Sequence, residues 1–146
     1  MSMVDISGKP EIYREAVAEG SIKLKKETIQ LIREKKISKG DPLSTARIAA
    51  VLAAKNTSSI IPLCHQIPLT TVKVDFRIVD DSRVVVEARV KSIAQTGVEM
   101  EALTAVAVAL LTIWDMTKQY EKDEKGEYPN TSIENIVLLR KIKREK

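Results

Sequence analysis

From Ala102 to Trp114 the chain is apolar at almost every position, interrupted only by Thr104 and Thr112. Read as a helix, the stretch is apolar nearly all round: Ala102, Leu103, Ala105, Val106, Ala107, Val108, Ala109, Leu110 and Leu111. A helix lying on a sheet needs one apolar stripe, and the rest must be covered by something else. The run therefore predicts a sheet beneath the helix and a second copy beyond it, a homo-oligomer. At 13 residues it falls short of the ~20 that a membrane span needs. The segment Met1-Ser2-Met3-Val4-Asp5 lacks the basic-then-apolar pattern of a secretory signal. A cytoplasmic protein without a membrane partner is expected.

The rest of the chain supplies the sheet. Residues 1–12 carry Gly8 and Pro10 and read as an arm. Tyr13 to Leu24 alternates, with Ala16, Ala18, Gly20, Ile22 and Leu24 on one side and Val17, Glu19, Ser21 and Lys23 on the other, which predicts a strand. Lys25 to Lys36 has helical spacing. In Lys39-Gly40-Asp41-Pro42 the glycine stops that helix, Asp41 caps a second, and Pro42 suits its first turn, with the helix running to about Lys55. Val72 to Ile78 and Val84 to Lys91 alternate on either side of Asp80-Asp81-Ser82, a hairpin. Thr96 and Glu99 have capping-box spacing and open the long helix, which runs to about Tyr120. Ile133 to Ile142 is a last strand, followed by the basic tail 143–146. The order β-α-α-β-β-α-β, with the first two helices as one broken crossover, predicts an α+β ferredoxin-like antiparallel sheet with helices packed on one face. At 146 residues this is a single domain.

Composition excludes several functions. Five aromatics in all make a poor platform for stacking bases, so no nucleic-acid partner is expected despite the net charge of +4. The single cysteine, Cys64, forms no internal disulfide, and with the single histidine, His65, it falls short of a four-ligand structural zinc site. No metal site is expected.

Four places carry residues capable of chemistry. Lys39 adds a full charge beside the helix start at Asp41, where free N–H groups attract anions, so it is either a phosphate anchor or acid–base lysine, or else a solvated lysine in a turn. In Pro62-Leu63-Cys64-His65, adjacent side chains point apart, which argues against a nucleophilic thiol–imidazole pair. Cys64 then fills space, and His65 either packs or bonds a ligand and shuttles a proton. Glu99 and Glu101 favour the N-terminal dipole of the long helix, or one of them faces a pocket. Asp115 and Lys118, three apart on one helix face, are either an exposed ion pair or a partly buried one that exchanges protons near neutral pH. Glu101 and Asp115 are 14 residues apart, about 21 Å along a helix at ~1.5 Å per residue. A single copy of that helix cannot bring both to one reacting atom, so either the ligand is long or a second subunit completes the pocket.

Several strings, in order from Met3 to about Lys141, resemble the cyclic pyranopterin monophosphate synthase family, the molybdenum cofactor biosynthesis protein C family. They are Met3-Val4-Asp5-Ile6-Ser7, Lys39-Gly40-Asp41 with Thr45-Ala46-Arg47-Ile48-Ala49, Ile61-Pro62-Leu63-Cys64-His65, Thr96-Gly97-Val98-Glu99-Met100-Glu101-Ala102-Leu103-Thr104 and Asp115-Met116-Thr117-Lys118. The resemblance implies a reaction: 3′,8-cyclo-7,8-dihydroguanosine 5′-triphosphate is rearranged to a pyranopterin, a cyclic phosphate closes, and pyrophosphate leaves. It implies no redox cofactor, with Mg²⁺ accompanying the triphosphate left open. It makes Asp115 the active-site aspartate, Lys118 its acid–base partner and Lys39 a second essential lysine. Leu63, Cys64, His65, Glu99, Met100 and Glu101 become substrate-binding residues, with Arg14 and Lys141 near the triphosphate. It also implies a homohexamer, a trimer of dimers with pockets between subunits.

Three departures from that pattern stand out: Gln66 where many members have a proline, Trp114 where a tyrosine is expected, and a tail without the Gly-rich Lys-Ser-Gly ending. The competing reading is a non-catalytic nucleotide-binding oligomer, which would bind ligand without needing the Asp115–Lys118 pair.

Overall fold

Alternation along three segments and a turn that only a few residue types tolerate build the sheet. The computed structural model describes residues 1–145. Strand β1 spans Ile12–Lys23, followed by helices α1 (Lys26–Arg33), α2 (Pro42–Lys55) and the single turn α3 (Thr57–Ile60). Strands β2 (Leu69–Val79) and β3 (Arg83–Ala94) form the hairpin, the long helix α4 spans Glu99–Glu121, and β4 spans Ser132–Arg144. The hairpin turn places Asp80 and Asp81 at φ 49° and 60°. That left-handed conformation is one aspartate accepts more readily than most residues.

All neighbouring strands are antiparallel, in the order β2-β3-β1-β4. This is the ferredoxin-like arrangement: the first strand is central and the last lies beside it. Ala16, Ala18 and Ile22 of β1 and Val84, Val86, Ala88 and Val90 of β3 are fully buried. Against them lies α4, with Ala102, Ala105, Val106, Ala109, Leu110 and Ile113 also fully buried, while α2 packs on α4 and β2. Gly20 lets α4 come close: a methyl there would sit 2.9 Å from Val106 Cγ1 and 3.0 Å from Leu110 Cδ1. Phe76 also turns to the helices and lies 5.2 Å beneath the Arg47 guanidinium.

The 13-residue apolar run proves to be the middle of a 23-residue helix, long and apolar enough by length and composition to cross a membrane. Here it is the core helix. Its outer side, with Leu111 exposed, and the β4 run Ile136-Val137-Leu138-Leu139 leave apolar surface uncovered by this chain.

Four local expectations are corrected. The first helix ends at Arg33 rather than Lys36, because Lys35 turns left-handed at φ 57° and reverses the chain. A separate turn, α3, follows α2 because Asn56 leaves helical geometry at φ −110°, ψ 12°. The capping box does not form: Val98 is the N-cap, no side chain caps the helix, and Glu99 bonds Lys141 instead. Lys143 and Arg144 are not tail but the end of β4, paired with Arg14 and Tyr13, and Arg144 stacks 4.3 Å from the Tyr13 ring. Lys146 of the expected tail lies outside the described residues.

Candidate active site

The expected site residues fall into two groups, one at each end of α4. At the C-terminal end Asp115 lies between two lysines. Lys118, one turn on, reaches its Oδ1 at 2.9 Å. Lys39 reaches Oδ2 at 3.4 Å and donates to the Asp115 backbone carbonyl at 2.9 Å. Lys39 is held there by its loop. Gly40 takes φ 120°, which favours glycine. Asp41 caps α2, accepting from the Leu43 and Ser44 N–H groups, and the Ser38 N–H donates to the Tyr120 hydroxyl at 2.8 Å. A cavity of about 380 Å³ opens beside Asp115 and Lys118, lined by Leu111, Trp114, Tyr128 and Ile133. The Trp114 and Tyr128 rings meet edge to face at 5.2 Å.

The Asp115–Lys118 pair is exposed, not partly buried as one reading of the spacing allowed. Lys118, and behind it Lys39, hold the Asp115 carboxyl below its ordinary range, and Asp115 holds the Lys118 ammonium above its own. In the single chain the two groups are thus driven apart, each more firmly charged. The cluster presents two fixed cations around one anion, suited to gripping phosphate and orienting it.

At the N-terminal end of α4, Leu63, Cys64, His65, Glu99 and Met100 line a cavity of about 340 Å³ together with Thr96 and Gly97. Glu101 sits beneath it, 3% exposed, with its Oε1 buried and unpartnered. Its other oxygen lies 3.9 Å from the Cys64 sulfur. Burial, aided by the nearby Glu99 charge, pushes the Glu101 carboxyl up; burial and Glu101 push the Cys64 thiol up. Cys64 is therefore a poor nucleophile and Glu101 a carboxyl able to hold a proton. Lys141 of β4 reaches Glu99 at 3.4 Å. Glu99 folds over Gly97: a methyl at Gly97 would fall 2.2 Å from Glu99 Oε2, so only glycine leaves room for that carboxylate.

Arg14 is buried beneath the same loop, donating to the carbonyls of Ala94 and Gln95 at 3.3 and 3.1 Å. In this chain it anchors the loop that carries Thr96 and Gly97. Among the described residues no group of three His, Cys, Asp or Glu is placed to hold a metal.

Sequence reasoning missed Tyr120, Tyr128, Val4 and Gln95. Tyr120 and Tyr128 act through partners far along the chain, and no local pattern marks them. Val4 reaches the site through its backbone carbonyl, 2.7 Å from His65 Nε2, which leaves no trace in residue type.

The MoaC family model matches residues 3–143. This chain belongs to the MoaC family. The match takes in both groups of site residues. Among relatives, a probable cyclic pyranopterin monophosphate synthase of Pyrococcus furiosus is 57% identical over all of this chain and 93% of its own length. One from Sulfolobus acidocaldarius is 55% identical over 97% of this chain and 98% of its own length. A Methanothermobacter thermautotrophicus protein, named a probable cyclic pyranopterin monophosphate synthase accessory protein, is 56% identical over 98% of this chain and 89% of its own length. The likeness thus covers nearly the whole chain and not one shared motif.

Proposed function

We propose that this chain is a cyclic pyranopterin monophosphate synthase, a lyase of molybdenum cofactor biosynthesis. It converts (8S)-3′,8-cyclo-7,8-dihydroguanosine 5′-triphosphate to cyclic pyranopterin monophosphate and releases pyrophosphate. The observation that carries the reading is the match over residues 3–143, which contains Lys39, Asp115 and Lys118 as one bonded cluster.

The chemistry divides between the two groups. Opening and re-closing the rings needs a proton donor beside the base, and Glu101, desolvated and with an oxygen free, is suited to hold that proton. Closing the cyclic phosphate requires a substrate hydroxyl oxygen to attack the α-phosphorus. One P–O bond forms, the bond to the β-phosphate breaks, and the hydroxyl proton passes to a base. Lys39 and Lys118 neutralise the charge on the departing pyrophosphate. Asp115 sets the spacing of both ammonium groups.

The two groups lie about 21 Å apart along α4, too far for one small substrate. A homohexamer, a trimer of dimers with pockets between subunits, brings the two ends of different copies together. The uncovered apolar residues on α4 and β4 support that assembly. On this reading the enzyme works in the cytoplasm without a redox cofactor or a protein-held metal, and whether Mg²⁺ accompanies the triphosphate stays open.

The test is pyrophosphate release from the cyclised triphosphate, with the cyclic phosphate of the product checked by mass. Lys39→Ala and Asp115→Asn should each reduce turnover by ~10²-fold or more. Mixing Glu101→Ala with Asp115→Asn subunits should restore part of the activity. No release by the native hexamer, or full activity in both single variants, would overturn the reading.

A further inference from the structure

The N-terminal arm is not loose beside the second cavity. It is folded, and it is fastened on both sides of it. Asp5 Oδ1 accepts from the Ser7 N–H at 2.9 Å, and the Lys9 N–H donates to the Ile6 carbonyl at 3.0 Å, which together make a compact turn. One end of that turn meets the α3–β2 loop, where His65 Nε2 lies 2.7 Å from the Val4 carbonyl. The other meets the β3–α4 loop, where Gln95 Nε2 donates to the Lys9 carbonyl at 3.1 Å. These two loops are the walls of the cavity that holds His65, Thr96 and Gly97.

A carbonyl oxygen has no proton to give, so the 2.7 Å contact requires His65 to carry its hydrogen on Nε2. In the neutral ring that leaves Nδ1 as the sole acceptor. We propose that residues 4–9 are a positioning strap that fixes His65 as the Nε2–H tautomer, so that Nδ1 alone serves the bound substrate. Val4 is then a positioning residue acting through its carbonyl. When Nδ1 takes a proton from the substrate, Nε2–H goes on donating to the Val4 carbonyl, so the ring keeps its place. The importance of this tautomer for turnover rests on the synthase reading; the tautomer itself does not.

The chain has one histidine, so its ring is directly readable. Long-range ¹H–¹⁵N spectra of the full chain should show a single Nε2–H tautomer with an observable, slowly exchanging Nε2 proton. Deleting residues 2–7 should abolish that proton signal while the backbone amide spectrum stays folded. Asp5→Ala, which loosens the turn without shortening the chain, should weaken it and serves where the deletion does not fold. An Nδ1–H tautomer in the full chain, or a ring spectrum unchanged by both variants, would overturn the strap. Pyrophosphate release is scored separately. A protein with the Nε2–H signature and no turnover keeps the strap and loses the synthase, whereas turnover with an indifferent ring does the reverse.

Discussion

Gly20 is the position where the smallest change should do the most to α4. It sits on central strand β1 opposite Val86, under the middle of the helix. In Gly20→Ala the new Cβ would stand 2.9 Å from Val106 Cγ1 and 3.0 Å from both Leu110 Cδ1 and Ile136 Cγ1. Carbon atoms at rest lie ~3.5–4.0 Å apart, so each neighbour must retreat by about 0.5–1 Å. Val106 and Leu110 are fully buried, so their shift must be taken up by the core around them. Overpacking of this kind costs ~1–3 kcal/mol, and alanine recovers up to ~1 kcal/mol by restricting the unfolded chain. The net loss should be about 1–2 kcal/mol, a fall in Tm of roughly 2–8 °C for a chain of this size. Thermal melts followed by circular dichroism would measure it. Combining the change with Val106→Ala, which removes one offending carbon, should destabilise by less than the sum of the two single changes. Because α4 carries Asp115 at one end and Glu101 at the other, turnover should fall along with stability. A Tm equal to or above that of the native chain would refute the close-approach argument.

Three other perturbations separate site from scaffold. Gly97→Ala should change stability by less than ~0.5 kcal/mol, because the displaced group is the flexible end of Glu99, yet it should break the Glu99–Lys141 pair and raise KM. Glu121 is fully buried and accepts from the Lys25 N–H, the Thr28 hydroxyl and the Thr131 hydroxyl, so Glu121→Ala strands three donors and should cost ~3 kcal/mol or more in urea denaturation. Burial holds the Glu101 carboxyl above its ordinary value of 4.5, so the folded chain keeps that proton to higher pH than the unfolded one. Stability from this group therefore falls as pH rises from the ordinary value through the raised one, and Glu101→Gln should flatten that slope in denaturation midpoints measured across the window.

What was legible in the sequence was whatever follows a period. Val72 to Ile78 and Val84 to Lys91 announce a hairpin because each face of a strand repeats every second residue. The Gly40-Asp41-Pro42 break is legible because all three residues act on their own backbone. Thr96 and Glu99 show the limit. Their spacing fits a capping box, but Lys141, 42 residues beyond Glu99, draws the carboxylate away, and a spacing rule has no access to that competitor. Lys39 is similar. Its place beside a helix start was visible, but its partner is a carbonyl and carboxylate 76 residues on, brought near only by the fold. The partly buried Asp115–Lys118 pair failed for a related reason: Trp114 and Met116 gave an apolar neighbourhood in sequence, but the helix turns the pair outward.

The two carboxyl groups at the ends of α4 now have different characters without any difference in their own chemistry. Asp115 is exposed and held ionised by two ammonium groups; Glu101 is buried, pairs with no cation among the described residues, and resists ionisation. Environments that drive two carboxyls apart in this way suit one to fixed charge and the other to holding a proton, which is the division the proposed function uses. A triphosphate needs fixed cations with a counter-ion to space them, and a purine ring being opened needs a proton delivered in a place shielded from water. One rigid helix holds both environments and keeps them about 21 Å apart, so neither carboxyl can neutralise the other's function. The same separation stops a lone chain from using both on one molecule. On the proposed assembly, the Glu101 end of one copy would stand against the Asp115 end of another, uniting the acid with the cation cluster and covering the apolar flank of α4 and β4 in the same step.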